Sequence, residues 1–202
     1  MLFAPRLPDG FFYRSDFISA AEEQELLAHL EPLEFQRVEM RGAVARRRTL
    51  HYGWTYGYYA RRTEPGPPLP DYLLTLRARV AAWAGMDAGL FVEALVTEYP
   101  AGAPIGWHRD APQFGDVVAG VSLLTSARMK FRPYLPPEGG SHRAGESHRG
   151  GSRKIRRATH EIVLAPRSGY LMTAAARREY EHSIPPVASL RYSITYRTLR
   201  QP

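Results

Sequence analysis

GWHRDAP, residues 106–112, places two side chains of metal-binding type close together in the chain, His108 and Asp110. In an extended strand residues i and i+2 point to the same side, so both side chains can reach one point while Arg109 faces away. A second histidine, His182, follows far downstream in EHSIPP, residues 181–186. It can join them only if distant strands come together, so the pattern predicts a closed or sandwiched β-architecture.

The three side chains form a recognisable donor set. Two imidazoles and one carboxylate are the protein ligands of non-haem Fe(II) oxygenases, in which further coordination positions stay open for a cosubstrate and oxygen. Zinc also accepts two imidazoles, a carboxylate and a water, which leaves a zinc hydrolase as an alternative. That alternative gives no role to the arginines near the end of the chain, and no general base stands at a supporting spacing.

RYSITYR, residues 191–197, is a strand with two different faces. One face carries Arg191, Ser193, Thr195 and Arg197, and the other carries Tyr192, Ile194 and Tyr196. A polar row that alternates with an apolar row is typical of a strand with one face in water. The second interpretation is that the polar row faces inward. The two arginines, ~20 Å apart at their Cα atoms, would then reach toward the ends of a five-carbon dicarboxylate.

Four stretches of the chain resemble the AlkB family of Fe(II)/2-oxoglutarate-dependent dioxygenases, together covering roughly residues 91–199. They are TEYPAGAPIGWHRD, VVAGVSLLTSARMKF, PRSGYLMTAAARREYEHSI and RYSITYR. The resemblance implies that His108, Asp110 and His182 bind Fe(II) and act with 2-oxoglutarate and O2. It also implies oxidative removal of alkyl groups.

The same resemblance assigns cosubstrate-binding residues. It implies that Arg191 pairs with the distal carboxylate of 2-oxoglutarate, assisted by Tyr99, and that Arg197 lies near the α-keto acid end. Two positions depart from the family pattern, since Thr97 and Ser193 stand where many relatives carry asparagine. Both hydroxyls can still form hydrogen bonds, so cosubstrate binding is expected to be kept with altered detail.

Length and composition set the class of protein. A chain of 202 residues is long enough for one domain with a proper core. It contains no cysteine, which excludes disulfides and thiolate zinc sites. No apolar run reaches membrane-spanning length and the start, MLFAPRLPDG, lacks a signal-peptide pattern, so a cytoplasmic location is predicted. The net charge of +7 permits nucleic acid as a partner.

The order of elements predicts an α+β, mainly β, fold with a double-stranded β-helix (jelly-roll) core. SAAEEQELLAHL begins with a capping box, Ser19 to Glu22, and predicts a first helix. A second helix is predicted from Asp71, its expected cap, to Gly85. The domain 1–202 is therefore divided into an N-terminal part with the helices (1–90), which the resemblance implies to include a substrate lid, and a core of short strands (91–200). Both helices are expected to pack outside the sheet.

One segment, residues 136–157, is rich in Gly, Ser and Arg and nearly free of apolar side chains. A loop of this length in a compact domain is usually functional or disordered. Its composition favours a solvated, flexible insertion. The alternative is a basic arm that contacts phosphates near the site.

A second candidate contact region is RRRTLHYGWTYGYY, residues 46–59, where three arginines precede alternating aromatics. Aromatic faces beside guanidinium groups can stack on an unpaired base, and Tyr52, Trp54 and Tyr56 are the predicted substrate-binding residues. The competing interpretation is an aromatic face that packs against the core. His29, His51 and His160 are expected to be structural or surface histidines.

Together these features predict an AlkB-like oxidative demethylase of alkylated bases in DNA or RNA, acting as a monomer. A second hypothesis is the same oxygenase chemistry on a protein side chain or small molecule. A non-catalytic nucleic-acid-binding module would explain the charge and aromatics, but it would make the metal set an accident.

Overall fold

The computed structural model describes residues 7–40, 43–57, 62–135 and 159–200. The strands are β1 (Phe11–Arg14), β2 (Gln36–Met40), β3 (Ala43–Gly57), β4 (Arg62–Pro65), β5 (Phe91–Tyr99), β6 (Ile105–His108), β7 (Phe114–Leu123), β8 (Ala127–Pro133), β9 (His160–Leu164), β10 (Gly169–Met172), β11 (Tyr180–Ile184) and β12 (Arg191–Leu199). The helices are α1 (Ala20–Leu30), α2 (Asp71–Ala84) and α3 (Ala174–Arg178), with one 3₁₀ turn at Ala88–Leu90. The basic loop 136–157 lies outside these ranges.

The strands form two antiparallel sheets. The larger has the order β1-β10-β7-β12-β5-β3-β2, with β4 paired to β3, and the smaller has the order β6-β11-β8-β9. Side chains of both sheets pack together in one apolar cluster that includes Val118 of β7 and Phe131 of β8. Sequence neighbours such as β10 and β11 fall in different sheets, as expected of a jelly roll. The predicted fold class is confirmed.

The outer face of the large sheet is covered by helices. Leu27 of α1 and Leu73 of α2 are buried against Ile194 and Tyr196 of β12. The capping box of α1 is present, since Ser19 and Glu22 bond each other's backbone amides. The predicted cap of α2 is wrong: Pro70 occupies that position without a side-chain bond and Asp71 is already helical, although the helix does end at left-handed Gly85.

Residues before 90 also build the large sheet, because β1 pairs with β10 and β3 pairs with β5. β3 changes partner at Gly53, pairing with β5 up to this residue and with β4 beyond it. Gly53 has a φ of +78, and a Cβ there would meet the Val92 carbonyl oxygen at 2.0 Å. Only glycine fits this position. The N-terminal region is thus continuous with the core rather than appended to it.

β12 is a central strand, because it pairs with β5 on one side and β7 on the other. Of its two faces, Tyr192, Ile194 and Tyr196 face the helices. Arg191, Ser193 and Thr195 are also buried, so the solvated-strand interpretation is wrong and the polar row faces inward. In the described ranges no helix is both long and apolar enough to cross a membrane.

Candidate active site

A cavity of about 370 Å³ opens between the two sheets, a size typical of small-molecule sites. The large sheet supplies one wall through β3, β5, β10 and β12, and the small sheet supplies the other through β6, β8 and β11. His108, Asp110 and His182 all line it. The sequence-predicted donor set therefore shares one cavity.

Strand pairing brings the donors together. His108 ends β6 and lies directly opposite His182 of the neighbouring antiparallel strand β11. Their ring centroids are 4.2 Å apart. Asp110 follows two residues after His108, and its Oδ2 lies 3.8 Å from Nε2 of His182. The i, i+2 spacing and the distant histidine converge as the motif predicts.

The chemistry of these donors fits a divalent metal ion. Asp110 Oδ2 is buried and has no hydrogen-bond partner. His108 Nδ1 bonds the Gly106 carbonyl oxygen at 2.9 Å, the second-sphere contact that leaves Nε2 for a metal. Across the described ranges, no three His, Asp or Glu side chains are placed to hold a metal ion as they stand. The orphaned Oδ2 and the oriented imidazole are nevertheless what a 2-His-1-carboxylate site requires.

Electrostatics keeps the donors in their ligating forms. Burial lowers the pKa of both imidazoles, to about 3 for His182, which holds them neutral with free lone pairs. Burial alone would raise the pKa of the Asp110 carboxyl, but the guanidinium charges of Arg197 and Arg177 oppose it, and that pKa lies below its usual value. Two neutral imidazoles and one carboxylate follow.

Arg197 is fully engaged by two carboxylates. Its Nε and Nη2 donate to Asp110 Oδ1 at 2.7 and 2.6 Å, and its Nη1 donates to Glu93 Oε2 at 2.8 Å. Although burial works against the charge, Asp110 and Glu93 raise the pKa of Arg197 above its usual value. Arg197 thus orients the carboxylate of the donor set, and its role near the α-keto acid end of 2-oxoglutarate stays a prediction.

Arg191 is the arginine that keeps donor capacity. Its side chain is fully buried, and its Nε and Nη2 donate to one hydroxyl, Ser122 Oγ, at 3.1 and 2.7 Å. Nη1 has no partner, and the guanidinium lies 5.0 Å from the centre of the Tyr99 ring. Burial lowers the pKa of Arg191 below its usual value, and no carboxylate within the described residues compensates for it. A buried guanidinium in this state fits an incoming carboxylate.

The other predicted cosubstrate residues lie beside Arg191. Tyr99, directly opposite Arg191 on β5, lines the cavity, as do Thr97 and Ser193, which are opposite each other one pleat further along. All three are nearly inaccessible to solvent. The structure therefore places hydroxyl donors between Arg191 and the metal-binding side chains.

Tyr170 also lines the cavity, and it is not among the site residues predicted from the sequence. Its hydroxyl bonds Thr195, and burial raises the pKa of Tyr170 to about 12. The ring lies over Gly120, where a Cβ would meet Tyr170 atoms at 2.3 Å. Gly120 therefore makes room for the ring. The GYLM strand holds no motif that distinguishes Tyr170 from a core tyrosine.

The wall contributed by β3 differs from the prediction. Arg47, Thr49 and His51 line the cavity. Tyr52 packs against the apolar cluster under the helices, and Trp54 is 37% exposed; neither belongs to the described lining. The structure thus does not bring Tyr52 or Trp54 to the site. The side chain of Tyr56 lies outside the described part of the chain.

Two further cavity residues form a pair. Glu93 is fully buried, and its Oε1 lies 3.2 Å from Nδ1 of His51, which the sequence groups with the structural histidines. The series His51–Glu93–Arg197–Asp110 therefore links β3 to the donor set. Strand parity was the available signal, since Glu93 shares a face of β5 with Thr97 and Tyr99.

Arg177 fixes the loop that carries Asp110. It is buried near the end of α3 and donates to the carbonyl oxygens of Gly115, Ala111 and Phe114 at 3.1 Å each, and to that of Asp110 at 3.5 Å. One guanidinium thus holds residues 110–115 in a single conformation. Nothing in the local sequence separates Arg177 from its exposed neighbour Arg178.

Comparison with known proteins agrees with this architecture. The family model of the 2OG-Fe(II) oxygenase superfamily matches residues 10–197, and the chain belongs to that family. It is 30% identical over 184 residues to the Alkylated DNA repair protein ALKBH8 homolog of Arabidopsis thaliana. The match covers 87% of this chain and 51% of the relative, so the chain spans about half the length of that protein.

Solved structures show the same fold at low identity. The structure of OsALKBH1 superposes with a TM-score of 0.65 at 10% identity, covering 96% of this chain and 100% of the other. A prolyl-4-hydroxylase from Pseudomonas putida gives a TM-score of 0.62 at 15% identity, with 95% and 93% coverage. The resemblance to AlkB-like 2-oxoglutarate oxygenases is confirmed. The family to which the chain belongs uses Fe(II), 2-oxoglutarate and O2.

Proposed function

We propose that this protein oxidatively dealkylates alkylated bases in nucleic acid, in a reaction that consumes 2-oxoglutarate and O2 at Fe(II). The observation that carries the proposal is a cavity lined by Asp110, whose buried Oδ2 has no partner, and by Tyr99, against which lies Arg191 with its own buried, unpartnered Nη1. The first fits a metal and the second a diacid. The 30% identity to an alkylated-DNA repair homologue supports nucleic acid as the substrate.

In this proposal each side chain has one task. His108, Asp110 and His182 would hold Fe(II), which supplies, with its bound cosubstrates, the power to hydroxylate a C–H bond. Arg191 would hold the distal carboxylate of 2-oxoglutarate, with hydroxyl donors from Tyr99, Thr97 and Ser193 nearby. Hydroxylation of a carbon attached to nitrogen gives a product that releases an aldehyde and leaves N–H on the base.

Arg197 and Arg177 position the metal-binding side chains and take no part in the reaction itself. Arg197 holds Asp110 through Oδ1, so that Oδ2 is the oxygen left to bind metal. Arg177 fixes the backbone on which Asp110 stands. Because both contacts are buried, the donor set is oriented at little further entropic cost.

Nucleic acid is favoured by the charge around the cavity. Arg47 and Arg109 line it, and the whole chain carries a net charge of +7. Fixed positive charge near a cleft attracts a phosphate backbone, and such binding weakens steeply with salt. A monomeric protein in the cytoplasm is part of the same proposal.

The test measures succinate and formaldehyde with a methylated oligonucleotide. Release of both is expected to require Fe(II) and 2-oxoglutarate and to rise when the oligonucleotide is present. Asp110→Ala and His108→Ala should abolish it, while Asp116→Ala, an exposed carboxylate six residues away, should not. Unchanged release in the Asp110 variant would refute the proposal.

The other candidate is the same chemistry on a protein side chain or small molecule. Arg47→Ala combined with Arg109→Ala distinguishes the two, with the exposed Arg128→Ala as control. Loss of oligonucleotide affinity, and a shallower salt dependence, supports nucleic acid. Unchanged turnover and no salt dependence would support the alternative.

A further inference from the structure

The described lining of the cavity contains two carboxylates, and both are committed. Asp110 Oδ1 accepts two bonds from Arg197, and its Oδ2 is the oxygen left for the metal. Glu93 Oε2 accepts from Arg197, and Oε1 pairs with His51. Within this lining, neither negative charge is left for a substrate.

No carboxylate of the described lining is left over for a cation, because Arg197 holds Asp110 and Arg197 and His51 hold Glu93. The arginines of the lining add positive rather than negative charge to it. The two charges of Fe(II) would be offset by the two of 2-oxoglutarate, so the cosubstrates add no spare negative charge. A cationic ligand would therefore lose its hydration without gaining a carboxylate partner, which is costly.

On the β3 side, the cavity wall carries two hydrogen-bonding side chains that are not carboxylates, His51 and Thr49. Nδ1 of His51 is held by Glu93, and the imidazole side chain is 34% exposed. Because a carboxylate only accepts hydrogen bonds, Nδ1 is the donor of this pair, and Nε2 is the ring nitrogen left for a substrate. Thr49 lies one pleat away on β3 and lines the same cavity, and its hydroxyl can donate or accept.

We propose that the cavity selects an alkylated base that is electrically neutral, with His51 and Thr49 contacting its polar edge, and discriminates against a base that alkylation has made cationic. The proposal deepens the dealkylation function above and rests on it. Glu93 is a positioning residue here, since it orients His51 on one side and Arg197 on the other.

The test compares two oligonucleotides of one sequence that carry either N6-methyladenine, which is neutral, or 1-methyladenine, which is cationic. Binding is measured by fluorescence anisotropy with Fe(II) and 2-oxoglutarate under anaerobic conditions, so that no turnover intervenes. The neutral base should bind about 10-fold or more tightly than the cationic one, relative to the unmodified oligonucleotide. Equal binding, or tighter binding of the cationic base, overturns the proposal.

Variants trace the preference to the named residues. His51→Ala should weaken binding of the neutral base without changing binding of the unmodified strand, whereas His29→Ala, an exposed histidine on α1, should change neither. Thr49→Asp adds a carboxylate to the lining and should shift preference toward the cationic base. Arg47→Gln, on the same strand face, should reduce the discrimination without inserting a buried charge. Discrimination unchanged in His51→Ala and Arg47→Gln overturns the proposal.

The outcomes also separate this inference from the function on which it rests. A preference for the cationic base, with turnover, overturns the neutral-base proposal and leaves dealkylation standing. Binding of neither modified strand above the unmodified one, without formaldehyde release, overturns both.

Discussion

Arg191→Met is expected to separate cosubstrate binding from fold stability. The guanidinium is fully buried, Nη1 has no partner, and one hydroxyl accepts its other two bonds. A hydrogen bond to a charged group contributes about 1.5–3 kcal/mol. Losing one such contact at the upper value corresponds to roughly 150-fold weaker binding of 2-oxoglutarate.

The same substitution should not destabilise the free protein. A buried cation without a carboxylate partner costs desolvation energy, and burial already lowers the pKa of Arg191. Replacing buried charged groups with apolar side chains of similar volume is often neutral or stabilising. The free energy of unfolding without ligands should therefore be unchanged or higher.

The assay is denaturant unfolding with a divalent metal, with and without 2-oxoglutarate. The wild-type protein should gain stability from the diacid by mass action, and Arg191→Met should lose that gain. Arg128→Met, which removes an exposed arginine of β8, is the matched control and should behave as wild type. Equal stabilisation of Arg191→Met by 2-oxoglutarate would refute the role given to Arg191.

Two further substitutions test the scaffold around the donor set. Arg177→Lys should weaken metal affinity by about 10–100-fold, as losses of second-sphere support do, because lysine cannot hold four carbonyl oxygens of residues 110–115. Isothermal titration with metal measures this affinity, and Arg178→Lys is the control that should have no effect. Equal metal affinity in Arg177→Lys and the wild-type protein would contradict the role given to Arg177. Gly120→Ala should lower the free energy of unfolding by about 1–3 kcal/mol, because the new methyl group overlaps the Tyr170 ring. A denaturant midpoint equal to that of the wild-type protein would contradict this packing.

The donor set could be predicted from sequence because its signal is local. His108 and Asp110 are two residues apart, so strand parity alone aims them at one point. His182 lies on a second, distant strand, and the strand register places it directly opposite His108. For Arg191 the two faces of β12 were visible in sequence, but which face pointed inward depended on its two partner strands.

The parts that sequence did not reveal depend on long-range pairing. Glu93 lies in a mostly apolar strand, and its role becomes visible only in the folded structure, where it pairs with Arg197 and His51. On β3 the aromatic residue Tyr52 was favoured, yet it packs under the helices while the polar residues face the cavity. Burial of an aromatic ring against the core outweighs its availability to a ligand.

In the proposed site, three side chains from two strands and a loop hold one Fe(II) ion beside a buried arginine that holds 2-oxoglutarate. Anaerobic titration of the protein with Fe(II) in the presence of 2-oxoglutarate tests it most directly, by the visible charge-transfer absorption of the chelate. A band that saturates at one iron per chain, and is absent from Asp110→Ala, is predicted. A saturating band of equal strength in Asp110→Ala, or no band in the wild-type protein, would contradict the claim.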